Sequence, residues 1–130
     1  MQEMLLNILK LTILLIVIDI PYLYLNVADF KSMINEIQGE KIKIRYYSAL
    51  ITYLIMAFGL YYFCLNNNQP FNKKLISSAL LGFTVYGVFD FTSLTIIDKW
   101  KLKQSLIDTT WGTILFAITA IIFEKIIKTL

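Results

Sequence analysis

The sequence predicts an all-α integral membrane bundle of four transmembrane helices, with a short interfacial helix after the first. Three observations predict it. Hydrophobic residues make up 58% of the 130-residue chain, well above the roughly 45–50% of soluble domains. They are gathered into four blocks, each near the ~20 residues needed to cross a ~30 Å hydrocarbon core. The blocks also lack the polar stripe at helical period that a soluble bundle shows. One membrane domain, residues 1–130, is the reading.

The first helix covers about residues 4–25 and carries Asp19 and Pro21. That run is too long for a signal-peptide core and lacks a small-residue cleavage site, so it is a retained helix. Pro21 has no amide hydrogen to donate to the Val17 carbonyl, which predicts a kink or loosened turn beside Asp19.

The connection from 27 to 45 is the only long one. Phe30, Met33, Ile34 and Ile37 fall at i, i+3, i+4 and i+7, and Gly39 can close the segment. This pattern fits a short helix lying in the interface plane; an irregular loop fits it equally. The second helix, 46–65, ends at the polar turn Asn66-Asn67-Asn68-Gln69-Pro70. The third covers 75–97, and the fourth covers 104–123.

An even number of crossings puts both termini on one face. The first and third connections lie on the other, with Lys31, Lys41, Lys43, Arg45, Lys99, Lys101 and Lys103. The positive-inside rule makes that loop face cytoplasmic by a small excess. The lysine-bearing turn Lys99-Trp100-Lys101-Leu102-Lys103 offers contacts to anionic lipid headgroups; a solvated turn with one interfacial tryptophan explains the same residues.

The net charge of +3 lies in the connections, and no basic face of a folded module is available for nucleic acid. The chain has no histidine, the usual near-neutral acid–base group and the commonest zinc ligand. No nucleophile–base constellation, catalytic residue or cofactor motif is legible, which leans against an enzyme. Cys64 is the single cysteine and has no internal disulfide partner.

Three acids interrupt the apolar blocks: Asp19, Asp90 and Asp108. At 1.5 Å per residue, Asp19 and Asp90 lie roughly 10 Å below the loop face and Asp108 roughly 6 Å below it. All three occupy one leaflet on three helices, so they are expected to approach one another inside the bundle. Ala79, Gly82, Tyr86, Asp90 and Ser93 share one side of the third helix, a stripe suited to close packing. Asp108, Trp111, Gly112, Leu115 and Thr119 share a side of the fourth, with Thr92, Thr95, Thr109 and Thr110 adding hydroxyls. Trp111 is expected to pack on Gly112.

An unpaired carboxylate in hydrocarbon costs about 2.5–3.5 kcal/mol on insertion scales. Protonation, hydrogen bonds to Tyr and Thr, a bound cation, or a snorkelling Arg45, Lys99 or Lys103 can each relieve it. Close carboxylates resist simultaneous ionisation, so a shared proton is expected. Two readings stay open: a proton or hard-cation site of unidentified metal preference, or acids that pin the first, third and fourth helices together.

The stretch Tyr86-Gly87-Val88-Phe89-Asp90-Phe91-Thr92-Ser93-Leu94, then Trp100, then Asp108 with Trp111-Gly112, resembles a family of four-helix membrane proteins, domain of unknown function 2177. The family pattern is Tyr-x-x-Tyr-Asp-Leu-Thr-Asn-Leu, a tryptophan, then Asp-x-x-Trp-Gly. Asp19 matches its acid in the first helix, and Tyr46-Tyr47 with the run from Gly59 to Phe63 resembles its second. Ser93 stands where the family has asparagine, and Phe89 where it often has tyrosine. The resemblance implies a fold and a membrane home, and no established activity.

Function therefore divides between proton or cation handling at Asp19, Asp90 and Asp108 and a non-catalytic accessory or scaffold subunit binding lipid or another membrane protein. A lipid-directed enzyme using carboxylate acid–base chemistry is a weaker third reading. A channel would require a homo-oligomer, because four helices with large side chains leave little room for a pore.

Overall fold

A computed structural model describes all 130 residues, Met1–Leu130. It contains α1 (Gln2–Gln38), α2 (Tyr46–Leu60), α3 (Phe71–Ile96) and α4 (Leu102–Ile122), with a π-helical turn continuing α2 (Tyr61–Leu65) and another continuing α4 (Phe123–Ile127). All four helices are long and apolar enough to cross a membrane. Both wide turns lie at the end of the bundle that holds the termini.

One expectation is corrected. The segment after the first membrane span is neither a separate interfacial helix nor a loop; it is the last third of α1. No glycine or proline separates Tyr22 from Gln38, and the Asn26 amide donates to the Tyr22 carbonyl at 3.1 Å within the same helix. Nothing in the chain stops propagation until Gly39. That glycine takes a left-handed φ of 75°, and its N–H bonds the Asn35 carbonyl at 2.8 Å. A helix of 37 residues is about 55 Å long at 1.5 Å per residue, against a hydrocarbon core of about 30 Å. Its far end therefore projects past the membrane on the loop face. The helix also runs through Pro21 without interruption.

The projecting part of α1 is held against the turn between α3 and α4. Met33 is fully buried there, and its sulfur accepts the Lys101 backbone N–H at 3.4 Å. Lys99 donates to the Glu36 carbonyl at 3.2 Å, and Lys101 pairs with the Glu36 carboxylate at 3.7 Å. The stripe at Phe30, Met33, Ile34 and Ile37 thus serves tertiary packing rather than a lipid surface.

α3 and α4 form the tightest pair. A methyl group added to Gly82 would lie 2.8 Å from Phe116 Cβ and run into the Gly112 carbonyl; one added to Gly112 would enter the Tyr86 ring. These two glycines let the backbones approach closely, the usual device of membrane helix pairs. Between the site and the terminal face lies an apolar core that includes Leu11, Leu15, Leu60, Leu115 and Phe116, all fully buried. Cys64 belongs to that core as a small filler.

Candidate functional site

The intramembrane acids belong to one chain of contacts that crosses the bundle. On its near side, Asp19 accepts a hydrogen bond from the Tyr53 hydroxyl of α2 through Oδ2 and another from Trp111 Nε1 of α4 through Oδ1, the latter at 2.7 Å. Trp111 stacks on Tyr22 of α1, with ring centroids 4.9 Å apart and planes 9° from parallel. The Tyr22 hydroxyl then donates to Asp108 Oδ1 at 3.0 Å. Asp90 of α3 lines the same cavity as Asp108. Finally Thr109 donates to Asp90 Oδ2 at 3.4 Å, and Ser105 donates to the Asp90 carbonyl at 3.3 Å.

The structure therefore brings Asp90 and Asp108 together and holds Asp19 apart from them, behind the stacked Tyr22–Trp111 pair. No set of three Asp, Glu or Cys side chains converges closely enough to hold a metal ion. Both Asp19 oxygens are engaged by donors on other helices, Tyr53 of α2 and Trp111 of α4. Asp19 joins α1 to α2 and α4, not to α3.

The Asp90–Asp108 pair opens into a cavity of about 350 Å³. Its walls are Leu23, Val27 and Phe30 of α1, Ile42 and Ile44 of the connection that folds back over it, Phe89 of α3, and Trp100. Asn26 and Lys31 also line it, and Gln104 stands beside the acids, one helical turn before Asp108. Gln104 is only 6% exposed as a residue and has no side-chain hydrogen bond within the protein, and its amide stays accessible where it lines the cavity. In a site that is otherwise largely apolar, that amide, the two carboxyls and the Lys31 ammonium are the groups left to address whatever enters.

Other residues singled out in the sequence have structural places. Trp100 is not an interfacial tryptophan: it is 7% exposed. Its Nε1 donates to Ser105 at 3.0 Å, and its ring meets Phe30 and Phe89 edge to face at 6.3 and 5.8 Å. Trp111 stacks on Tyr22, and the Tyr86 ring packs on Gly112 and also meets Phe116 edge to face at 6.3 Å. Ser93 turns its hydroxyl back to the Phe89 carbonyl at 2.7 Å, and Thr92 faces outward. Lys103 is exposed, while Lys99 and Lys101 are engaged with Glu36.

Sequence reasoning missed Tyr22, Tyr53 and Gln104 as members of the site. Spacing held a signal for two of them. Tyr22 follows Asp19 by three residues, and Gln104 precedes Asp108 by four, so each shares a helical face with an acid.

A model of the predicted membrane protein family DUF2177 matches residues 4–123. The chain belongs to that family. No curated protein and no solved structure matches it. The DUF2177 match encloses every residue of the contact chain from Asp19 to Trp111, so the acids and their partners lie inside the family's common region. It is a membrane protein by family and by its four apolar helices.

Proposed function

We propose that this membrane protein binds a proton, exchangeable for a cation, at the Asp90–Asp108 pair, and that Asp19 is a structural member of the bundle. One observation carries the reading: two carboxyls on adjoining helices line one cavity, together with residues of the first connection on the loop side. Two adjoining carboxylates in a medium of low dielectric repel each other strongly, and one proton held between them removes that repulsion. Asp90 and Asp108 then carry a single negative charge, and Tyr22 and Thr109 fix its position by donating to it. The apolar core beyond the site blocks an aqueous path to the other face, so the pair is loaded and unloaded from the loop side. That side is the cytoplasmic one on the balance of lysine and arginine.

Asp19 has a different chemistry. Both of its oxygens are satisfied by donors from two other helices, as expected of a buried polar group that fixes helix packing.

Infrared spectra of the protein in lipid vesicles test the proposal. A carboxylic-acid C=O band should be present in the wild type and should change in both Asp90→Asn and Asp108→Asn. A spectrum whose acid band is untouched by both substitutions, or that shows only carboxylate bands, would overturn it.

A further inference from the structure

We propose that the cavity above Asp90 and Asp108 accepts a small monovalent organic cation, an alkylammonium with a short hydrocarbon body, in exchange for the proton of the pair. The inference rests on the proton site proposed above and names its larger occupant. Four features of the cavity select that chemistry. Its volume of about 350 Å³ sits at the small end of ligand pockets, which run about 300–1,000 Å³. Its walls are predominantly apolar, and Trp100 and Phe30 present aromatic surface to the interior, the surface on which ammonium groups are stabilised. Its charged floor is the acid pair, which carries one negative charge while it holds a proton and two once the proton leaves, against the single basic group of the lining, Lys31. Its amide, Gln104, lines the cavity beside that floor and is accessible there, with no hydrogen-bond partner in the protein.

The alternatives fit less well. A hard metal ion takes six or more oxygen ligands or keeps its waters, and the walls offer hydrocarbon instead. An anionic headgroup would meet two acids. A plain acyl chain would leave the Gln104 amide without a partner and would bring no charge to the carboxyls, which have only the Tyr22 and Thr109 hydroxyls as donors. An alkylammonium satisfies the acids with its charge and the walls with its chain. Ile42 and Ile44 of the first connection also line the cavity, on its loop side.

The exchange balances without a further reactant. The O–H bond of the protonated carboxyl breaks, the proton passes to water, and the ammonium takes over the negative charge.

The full chain, purified in an uncharged detergent, is titrated with hexyltrimethylammonium, and in parallel with hexanol and hexanesulfonate. Saturable binding of the cation is expected at least about tenfold tighter than hexanol, a margin of about 1.4 kcal/mol, with none for the sulfonate. In weakly buffered solution about one proton should be released per cation bound, and by linkage the affinity should rise about tenfold per pH unit over the range in which release is seen. Asp90→Asn, Asp108→Asn and Gln104→Leu should each weaken binding. Ile44→Trp, which fills the mouth from an exposed position outside the helices, should abolish it while leaving the infrared acid band intact. It therefore decides the matter even where an acid variant fails to fold. Equal binding of hexanol, binding without proton release, or full affinity in Ile44→Trp would each overturn the proposal. An acid band on the pair with no cation binding would sink this inference alone. Absence of that band would sink the proton site as well.

Discussion

Replacing Trp111 by Phe keeps an aromatic ring against Tyr22 and removes a single donor, the Nε1–H that bonds Asp19 Oδ1 at 2.7 Å. Interhelical hydrogen bonds in membranes average about 0.6 kcal/mol and reach about 1.7. This one should lie near the top of that range, because it is short, its acceptor is charged or strongly polar, and Asp19 is buried. A loss of about 1.5 kcal/mol is therefore expected for Trp111→Phe. Tyr53→Phe removes the other donor to the same carboxyl and should cost a similar amount. The double variant strips both oxygens, so its loss should exceed the sum by about 1 kcal/mol, because the two bonds share one acceptor. Adding Asp19→Leu to the double variant should then recover most of the loss, since a site with neither donor nor acceptor has nothing left unsatisfied. The assay is unfolding in mixed micelles titrated with dodecyl sulfate and followed by circular dichroism. The reasoning fails if the single variants stay within about 0.3 kcal/mol of wild type, or if the triple variant is no more stable than the double.

Other outcomes follow from the same contacts. Gly112→Ala forces a methyl into the Tyr86 ring and should destabilise by about 1–3 kcal/mol, the usual range for overpacking, with thermal aggregation in detergent as the readout. Lys74 and Glu124 form an ion pair at 3.3 Å with both side chains more than nine-tenths buried. Lys74→Met should cost about 2 kcal/mol, less than the 3–5 of a fully stranded charge, because Lys128 remains 3.0 Å from the same carboxylate. The pair variant Lys74→Met with Glu124→Met should recover part of that loss. For orientation, single cysteines at Lys43 and Asn68 in a Cys64→Ser background report sidedness. An impermeant maleimide should label Asn68→Cys on intact cells and Lys43→Cys only after lysis, and the opposite pattern would reverse the assignment of faces.

The sequence carried the four spans because membrane helices are written in composition: length and apolarity suffice, and the polar turn at Asn66 to Pro70 marks a boundary no helix can cross. The continuation of α1 past the membrane was readable too, since Tyr22 to Gln38 contains no breaker; a strong apolar periodicity drew attention to a separate element instead. The three acids were legible as misplaced charges at one depth. Their partition was not. Whether Asp19 faces Asp108 or Trp111 depends on the rotation of α1 against α4, and a helix periodicity constrains the face of a residue without naming the neighbour it meets. The same holds for Trp100, whose flanking lysines mark a turn while its burial depends on Phe30 arriving from α1 some seventy residues earlier in the chain.

Because α1 is a single rod from Gln2 to Gln38, its outer end and the site share one lever. Met33 and Glu36 grip the α3–α4 turn outside the membrane. Tyr22, about three turns further in, holds Asp108. Prising the outer grip apart would swing Tyr22 relative to Asp108 and widen the gap between Phe30 and Trp100 at the same time. The outer contacts and the hydrogen bond that orients the buried acid are therefore set by one unbroken helix, which is also tied to α2 and α4 through Asp19.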